Sequence, residues 1–185
     1  MTAPFTIVGI AGSLRKASYN RALLRAAEEL LPEGVTLQIA EIGELPLFDQ
    51  DSEQNLPAAV VKIKEMVEQA GAVLIATPEY NYSVPGVLKN AIDWLSRPYG
   101  KNSLDDKPVA IMGASVGMLG SARAQYHLRQ MFVFLNGHVL NRPEVMVPTA
   151  QEKFDATGKL TDAKTREKVQ EILAALVAWA QRLKS

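Results

Sequence analysis

Residues 77–86 have the sequence TPEYNYSVPG and join two segments with different predicted secondary structure. The preceding run at residues 72–76, AVLIA, is apolar and ends abruptly in polar residues, which indicates a buried parallel strand. Residues 87–95 have the apolar spacing of a helix, and Pro85 suits its first turn, where a missing N–H does no harm. Ligands of open α/β sheets bind beyond the carboxyl ends of the strands, so this loop is expected to face a ligand. The alternative is a connection capped by Ser83 that binds nothing.

Strand and helix patterns alternate along the rest of the chain. The predicted strands cover residues 5–11, 35–39, 72–76 and 109–113, and a fifth strand is interrupted between residues 139–140 and 145–147. This alternation implies right-handed crossovers and a parallel sheet with both faces covered. The 185 residues fit a single domain over positions 1–185. We therefore predict an α/β, flavodoxin-like three-layer sandwich with a five-stranded parallel sheet of order 2-1-3-4-5, in which the loops after the first, third and fourth strands converge.

Composition limits the chemistry that the chain can perform. The formal net charge is zero, which argues against a nucleic-acid partner. The absence of cysteine excludes disulfides and thiolate catalysis, and two histidines cannot form a histidine-rich metal site. The sequence has neither a membrane-spanning apolar run nor a signal pattern, so we expect a cytoplasmic protein without a membrane partner. The chemistry is expected to come from a bound cofactor.

The first loop, residues 12–20 with the sequence GSLRKASYN, suits a phosphate group. Ser13, Ser18 and Asn20 offer short donors, Arg15 offers a charged fork, and the following helix presents its positive N-terminus. The spacing matches neither G-x-x-x-x-G-K-[ST] nor G-x-G-x-x-G. A serine-rich helix cap is the alternative, but the preceding parallel-strand pattern and the arginine favour a ligand.

The third loop, with Pro78, Glu79, Tyr80, Asn81 and Tyr82, suits a planar heteroaromatic ring. Backbone amides held by prolines can bond to ring carbonyls and nitrogens, and the two tyrosines supply flat apolar edges. Glu79 is expected to be a solvated loop residue, with a general acid as the alternative. We expect backbone groups of this loop to bind the ring, and we expect no side chain of the loop to be catalytic.

The fourth loop matches the G-x-S-x-G pattern of a hydrolase nucleophile at residues 113–117. That chemistry needs an acid and then a histidine, but no acid separates Ser115 from His127 or His138. We interpret the small residues, Gly117 among them, as allowing the backbone to approach a ligand edge.

Three motifs together resemble the NADPH-dependent FMN reductase family, in particular its chromate and quinone reductase branch. They are GSLRKASYN at residues 12–20, PEYN at 78–81 followed by PG and LKNA at 85–91, and GAS at 113–115 with Gly117 and Gly120. The resemblance implies that FMN is bound, its phosphate by Ser13, Arg15, Ser18 and Asn20, its isoalloxazine by Pro78, Glu79, Tyr80 and Asn81, and its edge by Ser115 and Gly117.

The same resemblance implies an activity and an assembly. Members take two electrons from NADPH or NADH and pass them to a small-molecule acceptor such as a quinone, an azo compound, free flavin or a metal oxyanion such as chromate. Flavin N5 carries the hydride, so no catalytic side chain and no metal ligand is expected. Members form homodimers or homotetramers. The apolar run at residues 131–135 fits either such an interface or a buried internal helix, and the resemblance favours the interface.

Three other interpretations are each disfavoured by a feature of the sequence. A non-enzymatic flavodoxin-type electron carrier tends to be acidic for docking, whereas this chain is neutral. An NAD-binding domain would place Glu41 on a ribose, but the glycine spacing is wrong. A serine hydrolase lacks the required order of residues.

Overall fold

Six strands and five α-helices follow one another along residues 5–184, the part of the chain that the computed structural model describes, and they alternate except that β6 directly follows β5. The strands are β1 (Phe5–Ala11), β2 (Val35–Ala40), β3 (Ala72–Ala76), β4 (Pro108–Ala114), β5 (His138–Val139) and β6 (Val145–Val147). The helices are α1 (Tyr19–Glu29), α2 (Ala58–Gln69), α3 (Gly86–Leu95), α4 (Ala122–Leu135) and α5 (Ala163–Leu183). The predicted domain, residues 1–185, includes residues 1–4 and 185, which lie outside the described residues.

The strands form one parallel sheet in the order β2-β1-β3-β4-β5, and β6 also pairs with β4. Pro108 and Val109 pair with β5, whereas the segment from Met112 to Ala114 pairs with β6. The two short strands therefore occupy one position at the edge of the sheet, separated by residues 140–144. This arrangement confirms the predicted order 2-1-3-4-5 and the interruption of the fifth strand.

Two apolar clusters fill the spaces above and below the sheet. Ile7, Leu74 and Met112 face α1 and α5, while Val8, Ile75 and Ile111 face α2, α3 and α4. Successive residues of a strand point to opposite faces, so each central strand contributes to both clusters. Because each fully buried side chain of this kind contributes about 1.5–3 kcal/mol, the buried strands fix the three-layer sandwich.

The last helix begins at a well-formed cap. The Asp162 carboxylate accepts hydrogen bonds from Thr165 N at 2.9 Å and from Thr165 Oγ1 at 2.7 Å, and it pairs with Lys153 Nζ at 3.1 Å. The bonds from Thr165 and then Lys153 favour the ionised carboxylate and lower the pKa of Asp162. This cap fixes the start of α5, which covers the β4 and β6 side of the sheet.

None of the helices within residues 5–184 combines the length and the apolar character needed to cross a bilayer. Over the same residues, acidic and histidine side chains do not gather in groups of three or more that could hold a metal ion.

Candidate active site

The loops that follow β1, β3 and β4 meet beyond the carboxyl edge of the sheet and line one cleft. β1 lies beside β3, which lies beside β4, so the three loops face one another. The lining residues are Ser13, Arg15, Ser18, Tyr19, Asn20, Pro78, Glu79, Tyr80, Ala114, Ser115 and Val116. The structure therefore brings together predicted residues from all three loops. Asn81, Tyr82 and Gly117 are exposed beside this cleft and do not line it.

One end of the cleft is built from unpaired backbone donors and a cation. The N–H groups of Lys16, Ala17 and Tyr19 have no acceptor in the described part of the chain, and they lie at the positive N-terminus of α1. Arg15 forms no ion pair with residues 5–184, and it lines the cleft together with Ser18 and Tyr19, while Lys16 and Ala17 belong to the same loop without lining this cleft. Such a cluster of N–H groups with an arginine is a binding site for an anion.

Ser18 and Asn20 shape this end of the cleft from within. Ser18 caps α1, and its Oγ accepts hydrogen bonds from Asn20 N at 3.2 Å and from Arg21 N at 3.3 Å. The buried Asn20 side chain donates to Ala114 O and accepts from Ala114 N, each at 2.9 Å. Asn20 thus fastens the start of α1 to the end of β4, so we assign it to positioning the loop.

The loop after β3 contains a tight reverse turn. Tyr80 N donates to Ser83 O at 3.0 Å, and Ser83 N donates to Tyr80 O at 2.9 Å. The two residues between them, Asn81 and Tyr82, have φ values of 51° and 65°, the left-handed pair of a type I′ turn. Ser83 does not cap α3, because Pro85 is the residue before the helix and no side chain caps it. The suggested capping role of Ser83 was therefore wrong.

The side chain of Glu79 is buried, and the expectation of a solvated loop glutamate is wrong. Its side chain is only 7% exposed, and its carboxylate accepts hydrogen bonds from Arg123 N at 3.0 Å and from Ala124 N at 3.4 Å. It also forms an ion pair with the Arg123 guanidinium. The physical reason is that α4 begins without a side-chain cap of its own, so the carboxylate from the neighbouring loop satisfies its first donors.

Arg123 is the residue whose role the sequence analysis missed. Its guanidinium pairs with Glu79 and also stacks over the Tyr82 ring, with 3.5 Å from Cζ to the ring centroid. The neighbouring His127 Nδ1 lies 3.0 Å from Ser83 Oγ, so α4 holds this loop at a second point. The first turn of α4 contains no acidic residue, so its backbone N–H groups need an acceptor from another part of the chain. This feature of the sequence could have indicated the contact with Glu79.

The loop after β4 is packed mainly by contacts within the protein. Ser115 N donates to Val147 O at 3.0 Å, and Ser115 Oγ accepts from Gly117 N at 3.1 Å. A Cβ on Gly113 would lie 2.4 Å from Thr77 O, and one on Gly120 would lie 2.6 Å from Val147 N. These two glycines therefore allow close packing of the protein backbone on itself. A Cβ on Gly117 would meet Ser115 Oγ at 3.6 Å, an ordinary contact, so of these three glycines Gly117 is the one that leaves room for a ligand.

The residues of this cleft are not arranged for a serine hydrolase or for a dinucleotide-binding domain. His127 is bonded to Ser83, and His138 lies at the amino end of β4 with its Nε2 2.9 Å from Asp106 Oδ1. Ser115 therefore has neither histidine as a base, which removes the serine hydrolase interpretation. Glu41 is paired with Arg21 at 2.8 Å, so it is engaged where a dinucleotide-binding domain would need it free.

A parallel sheet of order 2-1-3-4-5 with a cleft at the switch point between β1 and β3 defines a flavodoxin-like protein. The chain belongs to the NADPH-dependent FMN reductase family, whose sequence model matches residues 5–152.

Three relatives show how far this similarity extends. An NAD(P)H-dependent FMN reductase of Pseudomonas aeruginosa is 51% identical over 185 residues, with 100% of both chains covered. A quinone reductase of Escherichia coli is 43% identical over 188 residues, again with 100% of both chains covered. The flavoenzyme NAD(P)H:(acceptor) oxidoreductase of Paracoccus denitrificans has a solved structure that matches with a TM-score of 0.88 and 37% identity, covering 96% of this chain and 97% of its own.

The protein is thus an NAD(P)H-dependent reductase that contains FMN. The cleft fits this cofactor, because the unpaired N–H groups and Arg15 match a phosphate, and the adjoining loop presents backbone and flat tyrosine rings. The electron-carrier interpretation is set aside, because the relatives are reductases.

Proposed function

We propose that the protein is a quinone reductase that uses NADH or NADPH and holds FMN across the cleft between the β1, β3 and β4 loops. The observation that supports this proposal most strongly is the chemical difference between the two ends of the cleft. One end offers unpaired N–H groups and Arg15, and the other offers the exposed Tyr80 on a stiff turn. FMN has the same division between a phosphate and a planar ring.

The phosphate end is proposed to lie at residues 13–19. The phosphate would accept hydrogen bonds from Lys16 N, Ala17 N and Tyr19 N, while the Arg15 guanidinium supplies the balancing charge. Ser13 is buried beneath this loop, and its Oγ accepts from Arg15 N at 3.4 Å, which supports the base of the arginine. Asn20 and Ser18 keep the loop in the conformation that exposes these donors.

The ring end is proposed to lie against residues 78–82, with Ser115 and Gly117 at its border. Pro78 and the type I′ turn fix the backbone here, and the hydrogen bonds that the Glu79 carboxylate accepts from Arg123 N and Ala124 N hold the turn in place. A fixed set of amides needs little reorganisation when a ligand binds, which favours a ring with several polar edge atoms.

FMN held by the loops after β1, β3 and β4 would supply the redox chemistry, namely two-electron transfer between NAD(P)H and the acceptor. The residues of this chain bind and orient the reactants, and none is required as a nucleophile or a proton donor. The relevant function of the turn at Tyr80–Ser83 is to keep one wall of the cleft stationary while the donor and the acceptor exchange.

The charges around the cleft favour a neutral, flat acceptor over an oxyanion. The three loops around the cleft, residues 12–20, 77–86 and 113–123, contain three basic side chains. They are Arg15, the exposed Lys16 and Arg123. Arg15 is assigned to the phosphate, and Arg123 is engaged by Glu79 and Tyr82. A metal oxyanion such as chromate would find no free arginine beside the ring, whereas a quinone can lie flat near Tyr80 and Tyr82. The quinone reductase of E. coli supports the same acceptor.

The test is an acceptor series with the FMN-loaded protein. NADPH oxidation is measured with 1,4-benzoquinone, chromate, an azo dye and free FMN, and the protein stripped of FMN serves as the control. We expect kcat/KM for the quinone to exceed that for chromate by about tenfold or more, equivalent to about 1.4 kcal/mol of transition-state binding. A higher kcat/KM for chromate, the azo dye or free FMN would contradict the proposal.

A further inference from the structure

A second cationic cleft adjoins the proposed phosphate site. It lies between the start of α1 and the turn at residues 155–158, has a volume of about 410 Å³, and shares Arg15, Ser18 and Tyr19 with the first cleft. This volume falls in the range of small-ligand sites. The two clefts are therefore continuous along the same loop.

Three cations line this second cleft without a partner. Arg15, Lys16 and Arg25 form no ion pair with any described residue. Glu29, one turn beyond Arg25 on α1, pairs with Arg166 at 3.4 Å instead. Unpaired arginines beside a cleft are typical of sites that bind phosphate groups.

The opposite wall is a turn that its own hydrogen bonds hold fixed. Asp155 Oδ1 accepts from Thr157 N at 2.8 Å, from Thr157 Oγ1 at 2.6 Å and from Lys159 N at 3.0 Å. The one carboxylate that lines the cleft is thus engaged within the turn. The Arg25 guanidinium lies against the same turn, since a Cβ on Gly158 would stand 3.3 Å from Arg25 Nη2.

We propose that this second cleft binds the 2′-phosphate of NADPH, with Arg25 and Lys16 as its cationic partners. The inference rests on the proposed function, because it assumes a nicotinamide ring stacked over the flavin. A nicotinamide dinucleotide is longer than FMN, so its adenosine end must extend beyond the first cleft. The path past Tyr19 leads to these cations, and a phosphate monoester with close to two negative charges matches them.

The first experiment measures binding without turnover. Adenosine 2′,5′-bisphosphate, adenosine 5′-monophosphate and inorganic phosphate are titrated into the FMN-loaded protein by calorimetry. We expect the bisphosphate to bind more tightly than the monophosphate, and Arg25→Gln to weaken it by about tenfold or more, the effect of losing a charged hydrogen-bonding partner. Equal affinity for the two nucleotides, or equally strong binding of inorganic phosphate, would overturn the assignment to a nucleotide.

The second experiment compares the two donors. Arg25→Gln should lower kcat/KM for NADPH by about tenfold and leave that for NADH unchanged, since only NADPH carries the extra phosphate. Arg21→Gln is the matched control, because Arg21 lies one turn earlier on α1 and pairs with Glu41 outside the cleft. An equal loss for both donors would overturn the proposal. Absence of NAD(P)H oxidation by the wild-type protein would instead count against the proposed function. The calorimetry distinguishes this failure from failure of the 2′-phosphate assignment, because it measures nucleotide binding without turnover.

Discussion

Arg15 is the single side chain whose removal tests the position of the FMN phosphate. Arg15→Ala should weaken FMN by about 1.5–3 kcal/mol, the value of one charged hydrogen-bonding partner, and should affect riboflavin much less. Riboflavin lacks the phosphate, so the arginine has nothing to bond on it. Dissociation constants of both ligands, measured by quenching of flavin fluorescence, provide the comparison.

The control for this prediction is Arg21→Ala, which removes a cation from the helix after the Arg15 loop but leaves the cleft lining intact. Equal weakening of FMN and riboflavin in Arg15→Ala would show that Arg15 does not face the phosphate.

Single residues also show what the sequence could not reveal. The bond between Asn20 and the Ala114 backbone joins positions 94 apart, and the bonds from Arg123 N and its guanidinium to Glu79 join positions 44 apart. Residue types in the motifs were enough to predict which loops face the cleft. They could not separate side chains that bind a ligand from side chains that hold the loops, because that depends on which neighbour each one meets in three dimensions.

At the level of elements, the N-cap of α5 gives a prediction with a defined pH dependence. Asp162→Ala should lower the free energy of unfolding by about 0.5–2 kcal/mol near neutral pH, because Thr165 N loses its acceptor. The folded-state pKa of Asp162 is below its ordinary value of 3.8. Its stabilising contribution is therefore complete above that ordinary value and is lost as the pH falls through the lower folded-state pKa.

Urea unfolding followed by circular dichroism over a pH series measures this effect. The difference between wild type and Asp162→Ala should shrink in acid, and Asp162→Asn, which retains a side-chain acceptor, should lose less stability at neutral pH. A difference that stays constant down to the most acidic pH would contradict the assigned cap.

The turn after β3 leads to a prediction about the reduction of the flavin. It is held by two hydrogen bonds between Tyr80 and Ser83, and Pro78 and Pro85 stand on either side. We expect that no peptide in this turn rotates when the cofactor gains electrons. Anaerobic titration with dithionite should then convert the oxidised spectrum to the fully reduced one, with little long-wavelength absorbance from a half-reduced flavin.

Asn81→Gly provides the comparison for this titration, because glycine broadens the conformations open to the turn. A long-wavelength band that dominates at the midpoint in the wild-type protein would show that the turn does rearrange.

The elements themselves were largely predictable, and the turn was not. Apolar runs such as Ala72–Ala76 have a strand pattern because both faces of the central sheet are covered. A type I′ turn favours asparagine followed by glycine, whereas here Asn81 is followed by Tyr82. The contact between the Tyr82 ring and Arg123 helps to hold this uncommon backbone, and local sequence does not contain that information.

For the molecule as a whole, the exposed end of α4 supports the proposed homodimer or homotetramer. Phe132 and Leu135 are buried, whereas Val133 and Phe134 are 83% and 81% exposed. Nearby, Arg129 donates to Leu140 O at 2.9 Å, but its Nε and Nη2 are buried without an acceptor among the described residues. An apolar patch beside an incompletely bonded arginine is suited to contact with a second copy.

Phe134→Glu should therefore shift the protein towards monomer in sedimentation velocity at micromolar concentration. Val61→Glu is the control, because Val61 is an exposed apolar residue on a different helix, α2. The idea fails if the wild-type protein itself sediments as a monomer.

The divided strand at the β5 and β6 edge affects how the molecule behaves in a crowded solution. A long, continuous edge strand offers a row of free N–H and C=O groups on which another chain can add a strand. Here that edge consists of two residues in β5 and three in β6, with Pro143 between them. Proline cannot donate a hydrogen bond to a sheet, and neither piece is long enough to template a new strand. The interruption thus protects this side of the protein against sheet extension and aggregation.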